Sequence, residues 1–214
     1  MITKNTEDIS PLKRYWNIIS HGLFLFGLRN RLANIGLDIN PYYWVQEEVD
    51  ECKEPKIKGN PLEYSVRFLN VEEFKSITEN ESGATVNEMI EGLKKGQLCI
   101  GLEHNGNIAA YTFIELHDFV YYNRTFKLKD NEAYLLNMWT FHSYRGKNLA
   151  PYLRYQSYKL LDKQGRTVKY SITQYFNKSS IKFKSKLNSK HLSLFISIAL
   201  FKKYYWNFPI KKYR

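Results

Sequence analysis

From Pro61 onward the spacing of hydrophobic positions changes repeatedly, and each change marks an element. Glu63 to Leu69 alternates as a strand, and Val71 to Thr78 and Thr85 to Lys95 repeat at helical spacing. Gln97 to Glu103 and Ile108 to Leu116 are two strands around His104-Asn105-Gly106-Asn107, and an Asn-Gly pair is a strong signal for a tight hairpin turn. Asp118 to Asn131 reads as a long polar and aromatic loop. Tyr134 to Phe141 is an apolar, aromatic run of strand length, and after Ser143 to Pro151 the residues Tyr152, Leu153, Tyr155, Gln156, Leu160 and Leu161 recur at helical spacing. Arg166 to Thr173 predicts a further strand, Lys178 to Lys186 a helix, and His191 to Phe201 with Tyr204 to Phe208 the strands that close the sheet. The order predicts an α+β fold, a mixed, largely antiparallel sheet of about six or seven strands with helices on both faces.

The N-terminal part reads differently. Ser10-Pro11 is an N-cap and first-turn proline ahead of a helix over Leu12 to Leu32, with Trp16, Ile19, Leu23, Phe26 and Asn30 on one face. Lys13, Arg14, Arg29 and Arg31 crowd its ends, so the apolar face either packs on the domain or lies on an anionic membrane or a partner. Asn40-Pro41 breaks the pattern, Tyr42 to Val45 is a short strand, and Glu47 to Asn60 has the composition of a linker, with Pro55 and Gly59. The division predicted is residues 1–58 as an N-terminal helical extension and linker, separable from the chemistry, and 59–214 as the domain proper.

The candidate chemistry centres on Ser143 to Pro151. Pro151 fits the first turn of a helix, where a missing N–H costs nothing, so Gly146 to Ala150 form the helix entrance. Their backbone N–H groups lack intrahelical partners, and beside Arg145 and Lys147 they suit an anion the size of a diphosphate. The alternative is a basic turn that caps a core helix.

Charge and composition narrow the classes. The formal net charge is +11, and Asp162 is the only acidic residue from Arg145 to Arg214. That excess is a solvated face, or it serves a polyanionic coenzyme, an anionic membrane or nucleic acid; no helix-turn-helix, zinc-finger or ribonucleoprotein motif supports the last. Cys52 and Cys99 form neither a disulfide framework nor a metal spacing, and a reducing cytoplasm, peripheral to the inner face of a membrane at most, is the expected compartment. Met1 to Asp8 does not read as a signal peptide, and Leu192 to Phe201, the longest apolar run, is too short for a membrane span.

The turn from Arg145 to Ala150 resembles the signature of the GNAT superfamily of acyl-CoA-dependent N-acyltransferases, Arg/Gln-x-x-Gly-x-Gly/Ala at a strand-to-helix turn. Asn148 stands where that family has its first glycine, and Asn is among the few other residues that enter the left-handed region readily. A second match is Asn177-Lys178-Ser179-Ser180, at the place of the family's Asn-x-x-Ser/Ala, whose Asn can bond the pantetheine arm or simply cap its helix. Asn188-Ser189 replaces the Gly-Phe that usually ends this helix, and the tyrosine that often acts as general acid is replaced around Phe183-Lys184.

The resemblance implies attack of an uncharged primary amine on the thioester of acetyl-CoA in a ternary complex. The acceptor stays unidentified. It also implies an oxyanion contact from a backbone N–H among Trp139, Thr140 and Phe141, and coenzyme contacts at Arg145, Gly146, Lys147, Asn148, Leu149, Ala150, Asn177 and Ser180. As general base the sequence offers Glu115, expected beside Phe113 and Trp139 with His117 on the same face, and as its rival His142, at the end of the central strand. No metal site is expected. Two other classes stay open: a degenerate coenzyme- or partner-binding module, and a peripheral membrane or polyanion-binding protein.

Overall fold

The computed structural model of the protein describes residues 23–48, 50–79 and 84–213. In chain order the elements are α1 (Leu23–Asn34), β1 (Leu37–Glu47), β2 (Tyr64–Leu69), α2 (Val71–Thr78), α3 (Ala84–Lys94), β3 (Leu98–His104), β4 (Asn107–Glu115), β5 (Phe119–Tyr121), β6 (Arg124–Phe126) and β7 (Glu132–Thr140). Then follow α4 (Leu149–Lys163), β8 (Val168–Gln174), α5 (Lys178–Ser185), β9 (Lys190–Leu200) and β10 (Tyr204–Lys212). The main sheet has 8 strands in the order β10-β9-β1-β8-β7-β4-β3-β2, and β5 and β6 pair separately as a ribbon. All neighbours in the main sheet are antiparallel except β7 and β8.

Period-two alternation sorts the side chains onto two faces. Ile100, Leu102, Ala110, Ile114, Ala133 and Leu135 meet Leu149, Leu153 and Leu161 of α4, with Leu187 beyond α5. Cys99, Tyr111 and Phe113 point the other way, onto Phe74 of α2 and the α3 residues Met89, Ile90 and Leu93. On that second face the ribbon covers the other half of the sheet: Phe119 stacks on Tyr134 with centroids 4.0 Å apart, and Phe126 packs with Tyr42 and Phe195. The expected loop over Asp118 to Asn131 thus contains a hairpin. Its turn is Tyr122-Asn123, both with positive φ, as Asn105-Gly106 has in the predicted β3–β4 turn.

The largest difference from expectation lies before residue 59. Tyr42 to Val45 belongs to an 11-residue strand, and that strand is interior, paired with β8 on one side and β9 on the other. The main sheet therefore has one strand more than the seven that a count starting near Pro61 gives, and the earliest of the described strands sits among the last ones. Pro41 hides it from a sequence reading, because proline in a central strand removes a ladder hydrogen bond. Here the carbonyl of Pro41 accepts from the Tyr175 amide, so the side where the N–H is missing lies just past the last β1–β8 pair, Tyr42 with Gln174, while the pairing of Pro41 with Ile196 of β9 is kept. The start of the predicted N-terminal helix, with Trp16 and Ile19, lies outside the described residues; its end is α1, fastened to β1 by a bidentate Arg29–Asp38 pair at 2.6 and 2.9 Å.

Glu47 and Glu48, read as the start of a linker, are instead the roots of two ionic clusters. Lys169 of β8 is buried between Glu48 at 2.7 Å and Asp162 at 2.5 Å, joining β1, β8 and α4. Glu47 has a side chain 0% exposed, and meets Tyr158 and Arg154 of α4 and Lys184 of α5.

Candidate functional site

The parallel pair β7–β8 is hydrogen-bonded only from Glu132, Ala133 and Tyr134 to Val168, Lys169 and Tyr170, although both strands run on past that point. The cause is local to β7. Its register against β4 shifts between Tyr111 and Phe113, and Asn137 takes φ 48, the left-handed backbone of a bulge. Beyond the bulge β7 turns away from β8 and leaves a gap. Phe141 donates its N–H to the Ala109 carbonyl on the β4 side, so by alternation the Thr140 N–H faces the gap. Of the three residues expected to supply an oxyanion donor, Thr140 is the one so placed; the Phe141 N–H is already used, and the Trp139 side chain lies half exposed under Arg145.

After a single 3-10 turn over His142–Tyr144, the chain enters α4 through Arg145 to Asn148. Gly146 has φ 81 and Asn148 φ 64, so Asn148 adopts the left-handed conformation for which a glycine would serve. Its side chain does something a glycine cannot: Nδ2 donates to the Lys56 carbonyl at 2.7 Å, and the Lys58 amide bonds the Lys147 carbonyl at 3.0 Å. The segment before Gly59 is thereby held against the helix entrance. Arg145 folds back over its own strand, Nε donating to the Thr140 carbonyl at 3.1 Å with the guanidinium 5.1 Å from the Trp139 ring centroid.

These residues surround two adjoining cavities. The outer one, about 720 Å³, lies at the helix entrance, where Gly146, Asn148, Leu149 and Ala150 are joined by Lys56, Lys58, Arg145 and Lys186, with no acidic residue in the lining. The inner one, about 340 Å³, occupies the β7–β8 gap, lined by Leu135 to Met138 of β7, Ile172 of β8, Asn177, Ser179 and Ser180 at the start of α5, and the cationic side chains Arg154 and Lys184. Thr140, Ala150, Ser179 and Phe183 line both, so the two adjoin. Asn177 caps α5, its Oδ1 accepting from the Ser180 amide at 3.1 Å, while lining the inner cavity.

The inner wall is ionic and buried. Glu47 Oε2 accepts from the Tyr158 hydroxyl at 2.6 Å, Lys184 Nζ stands 3.2 Å from Oε1, and Arg154 Nε is 3.5 Å from Oε2. Burial alone would raise the Glu47 carboxyl, but Arg154 and Lys184 outweigh it and hold the group well below the usual carboxylate range, at about 2. Desolvation lowers Lys184 to about 8, against the pull of Glu47 the other way. Lys184 also donates to Ser171 and Thr173 hydroxyls at 2.6 and 2.7 Å.

The two residues offered as general base are not brought to this site in the same way. Glu115 pairs with Tyr134 near the start of β7, roughly 20 Å along the strand from Thr140. There its Oε1 accepts the Leu116 and His117 amides and its Oε2 the Gln97 side chain, so it closes the end of β4 and is no base for this gap. It does not contact Trp139, whose register partner is Tyr111. His142 lies at the right end of β7, exposed, and lines neither cavity. Sequence reasoning missed Lys56, Lys58, Arg154, Ser179, Lys184 and Lys186. Arg154 alone carried a signal, an arginine one turn past Ala150 on the apolar stripe of Leu149, Leu153 and Leu161.

No family model matches the chain, and no curated protein does. Solved structures do. An acetyltransferase of the GNAT family from Colwellia psychrerythraea superposes with a TM-score of 0.56 at 15% identity, covering 86% of this chain and 74% of its own. A GCN5-related N-acetyltransferase from Kribbella flavida gives 0.51 at 12% identity over 81% of this chain, and a GCN5-related N-acetyltransferase-like protein from Streptococcus suis gives 0.53 at 11% over 82%. Some matches are longer proteins, and the chain spans less than two thirds of them, 63% of the Kribbella protein and 57% of one from Drosophila. At such identities the likeness speaks for the backbone alone, and on the backbone it is consistent: this chain has the fold of the GNAT acetyltransferases, as the turn from Arg145 to Ala150 implied.

Proposed function

We propose that the protein is an acyl-CoA-dependent N-acyltransferase, an acetyltransferase that moves the acyl group of acetyl-CoA to a primary amine in a ternary complex. The observation that carries this reading is a basic helix entrance adjoining a cavity in the β7–β8 gap, with four residues lining both. A diphosphate suits the N–H groups of Gly146 to Ala150 beside Lys56, Lys58, Arg145 and Lys186. The pantetheine amides suit the polar wall at Asn177 and Ser180. At the far end the Thr140 N–H is aimed where a thioester carbonyl gains negative charge as the amine adds.

The amine attacks uncharged and gives up one proton, and the departing thiolate takes one up. Lys184 is the group of the inner wall suited to proton exchange, because burial brings it down to about 8. It takes the place that Glu115 loses by position. Calorimetry with CoA and acetyl-CoA, followed by thiol release over a panel of amines, tests the reading. Binding in the micromolar range is expected, and Arg145→Ala should weaken it roughly 10- to 100-fold by removing one charge-assisted contact. Absence of CoA binding in the wild type overturns the proposal.

One observation favours a peripheral membrane contact in addition. The edge strand β10 exposes Tyr204, Tyr205, Trp206, Phe208 and Ile210 beside Lys211 and Lys212, an aromatic and basic surface of the kind that seats at headgroups. No described helix is long and apolar enough to cross a membrane. Sedimentation with phosphatidylserine vesicles should bring down the protein at low salt and release it at high salt.

A further inference from the structure

The inner cavity has a cationic wall that the protein answers only in part. Arg154 is 2% exposed, yet neither Nε nor Nη1 has a hydrogen-bond partner. Its nearest anion is Glu47, and both oxygens of that carboxylate face other groups, Oε2 the Tyr158 hydroxyl and Oε1 the Lys184 ammonium. The Arg154–Glu47 contact at 3.5 Å is too long to complete a guanidinium hydrogen bond. Two buried cations share one buried anion. The cluster is left with one positive charge in excess, which is costly in the interior, and a guanidinium, which cannot give up its proton, has no way to neutralise itself. A plain acetyl group offers Arg154 nothing.

We propose that the inner cavity binds a carboxylate, held by Arg154, and that this carboxylate belongs to a substrate of the proposed acyl transfer: the free acid end of a dicarboxylic acyl-CoA, or the acid group of an amino-acid-like acceptor. The inference rests on the coenzyme reading above; in its first form a dicarboxylic acyl group takes the place of acetyl, and in its second it narrows the acceptor. A guanidinium in the cavity wall, carrying charge in excess of the one carboxylate beside it, matches a further carboxylate in charge. Asn137 and Ser179, also in the lining, can take the remaining lone pairs.

The test compares thioesters that differ in the acid group alone. Wild-type protein is titrated by calorimetry with CoA, butyryl-CoA and succinyl-CoA, the last two having the same number of acyl carbons. If the donor carries the carboxylate, succinyl-CoA binds roughly 10- to 100-fold tighter than butyryl-CoA, and Arg154→Met removes the difference. If the acceptor carries it, the two thioesters bind alike, and the CoA-saturated protein binds β-alanine in preference to propylamine, again only with Arg154 present. Wild-type preference in either pair keeps the test decisive should the variant fail to fold. CoA binding with no preference in either pair, or a preference that survives Arg154→Met, overturns the carboxylate site alone; no CoA binding overturns the coenzyme reading and this inference together.

Discussion

Replacing Glu47 by Gln is the sharpest test of the ionic cluster behind the cavity. The substitution keeps the shape and leaves Arg154 and Lys184 facing each other without their shared anion. Removing one partner of a buried pair costs about 3–5 kcal/mol. The depressed carboxyl gives an independent figure: a fall from 4.5 to about 2 corresponds to ~3 kcal/mol of stability at neutral pH. At a urea dependence of roughly 2 kcal/mol per molar, the unfolding midpoint should drop by about 1.5–2.5 M. The folded-state value lies below the unfolded one, so this contribution is complete above pH 4.5 and is lost as pH falls toward 2. The wild type should therefore show an acid slope that Glu47→Gln lacks. A midpoint shift under about 0.5 M, or identical acid slopes, would refute the claim that Glu47 is the cluster's anion.

Other expectations follow from the same geometry. A truncation beginning at Gly59 removes β1, Lys56 and Lys58 and should yield aggregated protein without CoA affinity; a soluble, CoA-binding product would show the N-terminal part to be dispensable. Asn148→Gly keeps the left-handed turn but frees Lys56, so melting should change little while hydrogen exchange at the Lys58 amide quickens; Asn148→Val should cost about 1–2 kcal/mol because a β-branched residue resists φ 64. For Lys184, burial puts the folded value near 8 against 10.5 for the ordinary side chain. The folded state thus binds fewer protons in that window, and wild-type stability measured against Lys184→Met should rise between pH 8 and 10.5. A flat difference across that range would remove Lys184 as a proton-exchanging group.

What could be read from the chain alone was what local chemistry dictates. The Asn105-Gly106 turn, the helix entrance with Pro151 in its first turn, and the Asn177 cap are each set by residues within a few positions of one another, and each is found where its residue types demand. Misread were the features set by distant residues. Glu47 to Asn60 is polar because Glu47 and Glu48 answer Lys184, Arg154 and Lys169 from across the sheet, a fact invisible to spacing. Glu115 misled for the reverse reason: its strand was placed correctly, but the antiparallel register sends it to the wrong end. A sequence fixes which strands are neighbours more readily than how far each slides.

The position of β1 bears on how the molecule is made. Leu37 pairs with Leu200 and Tyr42 with Gln174, so everything from β2 to β8 must leave the ribosome before β1 finds a neighbour. Meanwhile β2, β3, β4 and β7 can already assemble, each against a strand close in sequence. Closing a loop of that length costs roughly 4 kcal/mol in chain entropy, recovered only when β8 and β9 arrive to flank the strand and bury Glu47. During synthesis the nascent chain thus carries an unpaired strand with Tyr42, Tyr43 and Trp44 exposed, the interval in which it would most need a chaperone.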